Sequence, residues 1–190
     1  MSKKIIVGLD LSLSCSGIAY TKTGFRKEDY RHINIKTNPD ETRYERAIKI
    51  SEEMFLFLDL KPKEKRYVYF FFEDYAYGAK SGENSLAYQG ELCGILKSQI
   101  MARCQTQMIP VSIGTWKKFL SNNGALKKDE FKLQIYKRFG IECKTNDEAA
   151  AIGVAYFGFH IITGDNYLLE YQKNILKKYL KNPPKELNNE

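Results

Sequence analysis

The run YVYFFF at residues 67–72 constrains the fold of this chain more than any other segment. Because its aromatic and β-branched residues leave no polar face, it is predicted to be a β-strand that other structure covers on both sides. Glu73 and Asp74 follow directly, so acidic side chains stand at the end of a buried strand. A sheet covered on both faces is typical of α/β proteins.

The elements around this run support the same fold class. Alternating apolar residues predict three earlier strands in an antiparallel meander, and helical spacing predicts a crossover helix and then helices separated by one short strand. The predicted strands lie at residues 4–11, 17–23, 30–36, 67–72 and 107–112, and helices at 84–104, 128–139, 146–162 and 166–180. We therefore predict an α/β fold with a mixed five-stranded sheet, three antiparallel strands followed by parallel strands, with helices on both faces. This order matches the ribonuclease H-like fold.

Length and composition narrow the classes of protein. A chain of 190 residues is predicted to form one main domain, here residues 1–165, followed by a basic C-terminal helix and tail at 166–190. No apolar run approaches the roughly 20 residues that span a bilayer, and no secretion signal or CxxC spacing is present, so we expect a cytoplasmic protein with no membrane partner. The net charge of +7 favours a polyanionic partner, although generic basicity and a solubilising tail are alternatives.

Three acidic residues next to apolar segments are the candidate catalytic and metal-binding residues. Asp10 lies on the first strand, Glu73 ends the aromatic strand, and Asp147 begins the last core helix. Converging carboxylates repel one another, and a divalent cation relieves that repulsion. Oxygen ligands favour Mg²⁺ or Mn²⁺. Each acid also has an ordinary structural explanation, such as a turn, a lysine partner or a helix cap, but their shared setting favours a metal site.

Four segments carry a resemblance to a known family. They are GLDLSLSCSGIAY at residues 8–20, FFFEDYAYG at 70–78, SLAYQGELCGILK at 85–97 and DEAAAIGVAYFG at 147–158. In this order they resemble RuvC-type Holliday junction resolvases of the ribonuclease H-like superfamily, particularly the phage-borne branch. The resemblance implies a nuclease domain at residues 1–165, with Asp10, Glu73 and two acids of the last helix binding two metal ions.

One position departs from the family pattern. The family has a second acid three residues after the first on the last helix, and Ala150 occupies that position here. Residues at this spacing share a helical face, so two acids there could reach one metal. An alignment that makes Asp147 the second acid puts Lys144 at the first and spoils the match that follows. Either this protein has a weaker metal site, or Ala150 is a replacement that disables cleavage.

The resemblance implies a structure-selective endonuclease that cuts four-way junctions and other branched DNA by two-metal hydrolysis, leaving a 5′ phosphate. It also implies a homodimer, paired near Gly90 and Gly94, so that two sites cut opposite strands. The candidate DNA-binding residues are basic side chains for phosphates and aromatic side chains for bases: Tyr75, Tyr77, Lys80, Lys117, Lys118, Lys127 and Lys128.

Two other functions fit part of the sequence. Actin-like kinases share the first-strand acid and the hairpin, but they need a second, duplicated domain for which 190 residues leave no room. A branched-DNA-binding protein that does not cleave is favoured by Ala150 and disfavoured by the three retained acids. The two histidines, His32 and His160, are predicted to be structural.

Overall fold

Five strands form one mixed sheet, as the sequence predicts, and their order in the sheet is β3-β2-β1-β4-β5. The computed structural model describes residues 4–22, 27–60, 67–74, 83–164 and 168–187, without the side chains of residues 27, 83–86 and 128. The strands, in chain order, are β1 (Ile5–Asp10), β2 (Cys15–Thr21), β3 (Tyr30–Lys36), β4 (Val68–Glu73) and β5 (Met108–Val111). The first three pair antiparallel, and β4 is parallel to both β1 and β5.

Helices cover both faces of the sheet. They are α1 (Arg43–Leu58), α2 (Glu83–Cys104), α3 (Ile113–Ser121), α4 (Lys128–Phe139), α5 (Asn146–Thr163) and α6 (Glu170–Lys181). Helices α1 and α2 enclose one apolar core against the sheet, and α3 to α6 enclose the other. None of the helices in the described ranges has the length and hydropathy that a membrane crossing needs.

Strand periodicity decides which side chains enter which core. Ile5, Val7 and Leu9 are buried against α1 and α2, whereas Ile6 points into the core on the α5 side. This alternation, which the sequence predicts, also gives Asp10 the same side as Ile6 and Gly8. Phe70 and Phe71 are both fully buried on opposite faces, so the aromatic strand is covered on both sides as predicted.

Helix α5 is fixed at both ends by local chemistry. Thr145 caps its N-terminus, because its hydroxyl accepts the backbone N–H of Glu148 at 3.1 Å while the Glu148 carboxylate accepts the N–H of Thr145 at 3.2 Å. Gly164 ends the helix in the left-handed region, at φ 63°. Between these caps nearly every residue is buried, so α5 is the central helix of its core.

The C-terminal helix α6 packs on the same core. Leu176 is 7% exposed, and the buried side-chain amide of Gln172 donates to the carbonyl of Phe119 at 2.9 Å. The phenol of Tyr179 donates to the carbonyl of Pro110 on β5 at 3.1 Å. Helix α6 therefore covers the sheet beside its edge strand β5, while the division of the chain at residue 165 stays a prediction.

Candidate active site

Asp10 and Glu73 end two neighbouring parallel strands. Leu9 pairs with Phe72, and the next residue of each strand is one of the two acids. The ring of Phe71 packs directly against Gly158 of α5. Glu73 lies two residues later on β4, so its side chain points to the same face of the sheet. The two carboxylates are therefore adjacent at the carboxyl edge of the sheet, on the α5 face.

Close backbone packing brings the third acid to this edge. Gly17 pairs with Asp10 across β1 and β2, and a Cβ added to Gly17 would collide with the backbone carbonyl of Asp147. A Cβ on Gly8 would likewise collide with the carbonyl of Ala151, one helical turn further along α5. The two glycines therefore let α5 lie directly on the sheet, with its first turn beside Asp10.

The three acids line one cleft of about 390 Å³. Its walls are the hairpin between β1 and β2, the end of β4 and the first turns of α3 and α5. The lining residues are Asp10, Leu11, Ser12, Ser14, Cys15, Glu73, Gln89, Ile113, Lys117, Phe131 and Asp147. The predicted convergence of Asp10, Glu73 and Asp147 is thus present as a shared cleft, and their catalytic role stays a prediction.

Trp116 orients the Glu73 carboxylate. Its indole N–H donates to Glu73 Oε2 at 2.9 Å, and the ring itself is fully buried. A Cβ on Gly153 would lie 2.8 Å from the indole, so the absence of a side chain there makes room for Trp116. The edge of Phe131 also packs on the indole, with ring centroids 5.2 Å apart. Because packing holds the indole of Trp116 on several sides, the Glu73 carboxylate that accepts its N–H keeps one orientation.

A hydrogen-bonded network holds the first turn of α5 to β2 and β3. The thiol of Cys15 donates to Asn34 Oδ1 at 2.9 Å, and the side-chain amide of Asn34 donates to the hydroxyl of Thr145, the N-cap of α5. Burial raises the pKa of the Cys15 thiol, and the negative charge of the neighbouring Asp147 carboxylate raises that pKa further. The network therefore ties Asp147 to two strands of the sheet.

The buried Glu148 carboxylate belongs to the cap and lies outside the cleft lining. It accepts the backbone N–H of Lys144 at 2.6 Å, and His32 Nδ1 lies 3.8 Å from its other oxygen. The other histidine, His160, is buried among the rings of Phe119 and Tyr156.

Lys117 is the basic side chain that lines the cleft. Its ammonium lies 4.7 Å from the centroid of the Phe131 ring, in cation–π geometry. Lys118, the next residue, is exposed and outside the cleft lining, because neighbours on a helix point about 100° apart. Lys127 is also exposed, just before α4. The side chain of Lys128 and the whole of Tyr75, Tyr77 and Lys80 lie outside the described residues.

The donor chemistry of the cleft fits a hard divalent cation. Asp10, Glu73 and Asp147 offer carboxylate oxygens, the ligands that Mg²⁺ and Mn²⁺ prefer. Across the described ranges, however, no group of three or more His, Cys, Asp or Glu side chains is already gathered closely enough to hold a metal ion. The three carboxylates therefore line one cleft without being drawn together into a coordination sphere.

Ala150 is 1% exposed and does not line the cleft. It lies on α5 between Asp147, which lines the cleft, and Gly153, which faces Trp116. An acid at this position would therefore point toward the Trp116 and Glu73 side of the cleft from inside the core. The structure leaves its predicted role as the site of a missing ligand untested.

Gly90 and Gly94, near which the resemblance places the dimer contact, make no close packing contact within the described part of the chain. Both glycines lie on exposed positions of α2, and a Cβ added to either would meet no described atom within 4 Å. The surface there is open, and pairing with a second subunit stays a prediction.

Sequence reasoning missed the residues that hold the acids in place. These residues are Trp116, Cys15 and Asn34, and none of them is among the candidate site residues that the sequence predicts. Gln89, which lines the cleft, is not among them either. Both Cys15 and Gln89 lie within the segments that carry the family resemblance, and that position was the available signal.

No protein-family model and no curated protein matches the sequence. Solved structures do resemble the fold. RuvC of Thermus thermophilus in complex with Holliday junction substrate has a TM-score of 0.64 at 15% identity, over 85% of this chain and 96% of that chain. A second T. thermophilus RuvC structure has a TM-score of 0.60 at 16% identity, over 84% of this chain and 96% of that chain. The chain has the RuvC/ribonuclease H-like fold.

Proposed function

We propose that this protein is a structure-selective endonuclease that resolves Holliday junctions and other branched DNA. The observation that carries the proposal is the shared cleft of Asp10, Glu73 and Asp147 at the carboxyl edge of the sheet. The fold resemblance to a RuvC solved with Holliday junction substrate supports it. The sequence motifs extend the proposal to the phage-borne branch of the family.

The cleft would hold Mg²⁺ or Mn²⁺, with two ions expected. Asp10, Glu73 and Asp147 would be the ligands. When bound, such ions supply an activated water and stabilise the leaving 3′ oxygen of the phosphodiester. Trp116 would keep the Glu73 carboxylate in one orientation throughout, because its N–H remains bonded to Oε2. The Cys15 and Asn34 network would do the same for the first turn of α5, which carries Asp147.

Lys117 would bind a phosphate oxygen of the substrate strand. Its ammonium already lies in the cleft against the Phe131 ring, so it contributes positive charge where the phosphodiester must approach three carboxylates. Lys118, Lys127 and Lys128 would contact phosphates further along the strand. Tyr75, Tyr77 and Lys80, between β4 and α2, would act at the junction centre, where an aromatic side chain stacks on an unpaired base.

A homodimer is part of the proposal, because resolution of a junction needs two coordinated cuts. The exposed glycines of α2, Gly90 and Gly94, provide a surface that a second copy of the chain can approach closely. The second candidate function is a branched-DNA-binding protein that does not cleave. Ala150 favours it, because an apolar residue stands where the resemblance implies a metal ligand.

The test compares binding and cleavage on matched DNA. Binding is measured by gel shift in Ca²⁺ on a four-way junction and on a linear duplex of equal length. Cleavage of the same junction is measured in Mg²⁺ and in Mn²⁺. We expect clear selectivity for the junction, and cuts that leave 5′ phosphates. Asp10→Asn and Glu73→Gln should abolish cleavage while junction binding persists.

Glu52→Gln is the matched control, because Glu52 is an exposed acid on α1, on the opposite face of the sheet. It should change neither activity. Equal affinity for junction and duplex would overturn the junction proposal. Selective binding with no cleavage in either metal would favour the second candidate function.

A further inference from the structure

A large share of the positive charge of this protein lies in a short segment that covers most of α6 and the residues just after it. The net charge of the chain is +7, and residues 171–185 contain five lysines and no acidic residue. This short segment therefore supplies five of the seven net charges, and the rest of the chain is close to neutral.

Four of these lysines lie on α6 and form one solvent-facing ridge. Lys173, Lys177 and Lys181 recur every four residues, which places them along one side of the helix over about 12 Å. Lys178 lies beside them, and all four side chains are exposed. We call this set the lysine ridge.

The ridge has a fixed position, because the opposite side of α6 is anchored. Gln172 donates to the Phe119 carbonyl at 2.9 Å and lies 3.3 Å from the Tyr156 hydroxyl. Leu176 is buried in the core of α3 and α5. Since this covered side is already occupied by the protein, α6 does not offer it to a lipid surface.

The C-terminal half of α6 lies near the edge of the sheet that carries the cleft. Tyr179 donates to the carbonyl of Pro110, and the next residue, Val111, accepts the backbone N–H of Asp74 at 2.9 Å. Burial and the charges of Glu186 and Asp74 raise the pKa of Tyr179. Asp74 directly follows Glu73, so the C-terminal half of α6, which carries the ridge on its solvent-facing side, lies on the β4 and β5 side of the cleft.

We infer that the lysine ridge binds the phosphate backbone of a DNA duplex arm that leaves the cleft past β5. Phosphates follow one another by about 3.4 Å along the axis of one strand, so a ridge of about 12 Å spans three to four of them. Because the helix that carries these lysines is already anchored, DNA binding costs little entropy for ordering the backbone. The inference rests on the proposed function and assigns this surface to duplex arms, away from the reacting phosphodiester.

The test replaces three lysines of the ridge and measures salt dependence. Lys173→Gln/Lys177→Gln/Lys181→Gln is compared with the unchanged protein on a junction and on a linear duplex, in Ca²⁺, over a range of salt concentrations. If each lysine contacts one phosphate, the slope of log K against log salt becomes shallower by about 2.7, or about 0.9 for each contact. Affinity at low salt should fall at least about tenfold, with the junction cleavage site unchanged.

Two controls separate charge from other effects. The triple replacement by arginine keeps the charge and should keep the slope. Lys49→Gln removes a lysine of α1 on the opposite face of the sheet and should change nothing. Circular dichroism melting checks that each variant folds, and the single variant Lys177→Gln, with an expected slope change of about 0.9, replaces the triple if the triple melts early.

An unchanged slope in the folded glutamine variants would overturn the ridge inference, even where junction binding and cleavage proceed. A loss of affinity that arginine does not restore would overturn it too. The proposed function fails by a different result, the absence of junction selectivity in the unchanged protein. In that case the slope on the linear duplex still decides whether the ridge binds phosphates.

Discussion

Ala150→Asp tests the departure from the family pattern most directly. Ala150 is 1% exposed, so the new carboxyl enters a nearly dry site beside existing carboxylates. At pH 7 its least costly choice without metal is to take up a proton. Moving an Asp from its ordinary pKa of about 3.9 to above 7 costs about 4 kcal/mol of folding free energy. We therefore expect the variant to be less stable by up to about 4 kcal/mol in a chelator.

Metal should reverse much of this loss. If the new carboxylate completes a site with Asp10, Glu73 and Asp147, a cation at a hundred times its dissociation constant returns about 2.7 kcal/mol. Urea unfolding in EDTA and in millimolar Mg²⁺ measures both quantities. Junction cleavage in Mg²⁺ or Mn²⁺ should rise by orders of magnitude, because ligand placement governs both nucleophile and leaving group, while junction affinity in Ca²⁺ stays nearly constant.

Ala149→Asp is the matched control. Ala149 is equally buried but lies about 100° around α5 from Ala150, so its carboxylate cannot point the same way. It should destabilise the protein to a similar degree and gain nothing from Mg²⁺. If Ala150→Asp also gains no stability from Mg²⁺ and cuts no faster, the missing ligand is not at residue 150. The alignment that uses Lys144 and Asp147 would then have to be reconsidered.

Three further predictions concern the residues around the cleft. Trp116→Phe removes the donor to Glu73 and should cost about 1.5–3 kcal/mol of stability, since a hydrogen bond to a charged group is lost. A double-mutant cycle with Glu73→Ala, measured by urea unfolding, would contradict this if the two substitutions showed no coupling energy. Thr145→Ala removes the N-cap of α5 and should cost about 1 kcal/mol by urea unfolding, together with a loss of cleavage rate, whereas unchanged cleavage would argue against positioning by the cap. Burial raises the pKa of Cys143 from 9.0 to about 12, so its contribution to stability is complete below pH 9 and is lost as pH rises from 9 toward 12. At pH 10 that loss is about 1 kcal/mol, which is less than the roughly 1.4 kcal/mol of a fully buried thiol because Cys143 is partly exposed. Stability of the Cys143→Ala variant should therefore fall less between pH 8 and pH 10 than that of the unchanged protein, by about the same amount.

The sheet could be predicted because its signals are local. The aromatic run of β4 and the alternation along β1 depend only on neighbouring residues, and both give the observed strands and faces. The adjacency of Asp10 and Glu73 then follows from parallel pairing in register. The sequence marks Asp147 as an acid at the start of the last core helix, but nothing local in that helix shows that its first turn lies over Gly17.

The contacts that orient the acids could not be predicted in the same way. Trp116 and Glu73 are 43 residues apart, and their hydrogen bond depends on the angle at which α3 crosses β4. The choice between Lys117 and Lys118 depends on the rotation of α3, which is set by the burial of Trp116 and Phe119. The sequence shows that two adjacent lysines point apart, but only the packed helix decides which one enters the cleft.

The protein separates its charges in a way that suits the proposed reaction. Among the described residues, three carboxylates and one lysine line the cleft, whereas residues 171–185 contain five lysines and no acid. DNA phosphates are attracted to the second region and repelled by the first unless a cation is bound there. Salt should therefore act mainly on the binding of DNA, and metal chelation mainly on cleavage. Because α5 lies on the sheet at Gly8 and Gly17 and α6 packs on the same core, a DNA arm held at α6 would fix the position of the strand that reaches the cleft.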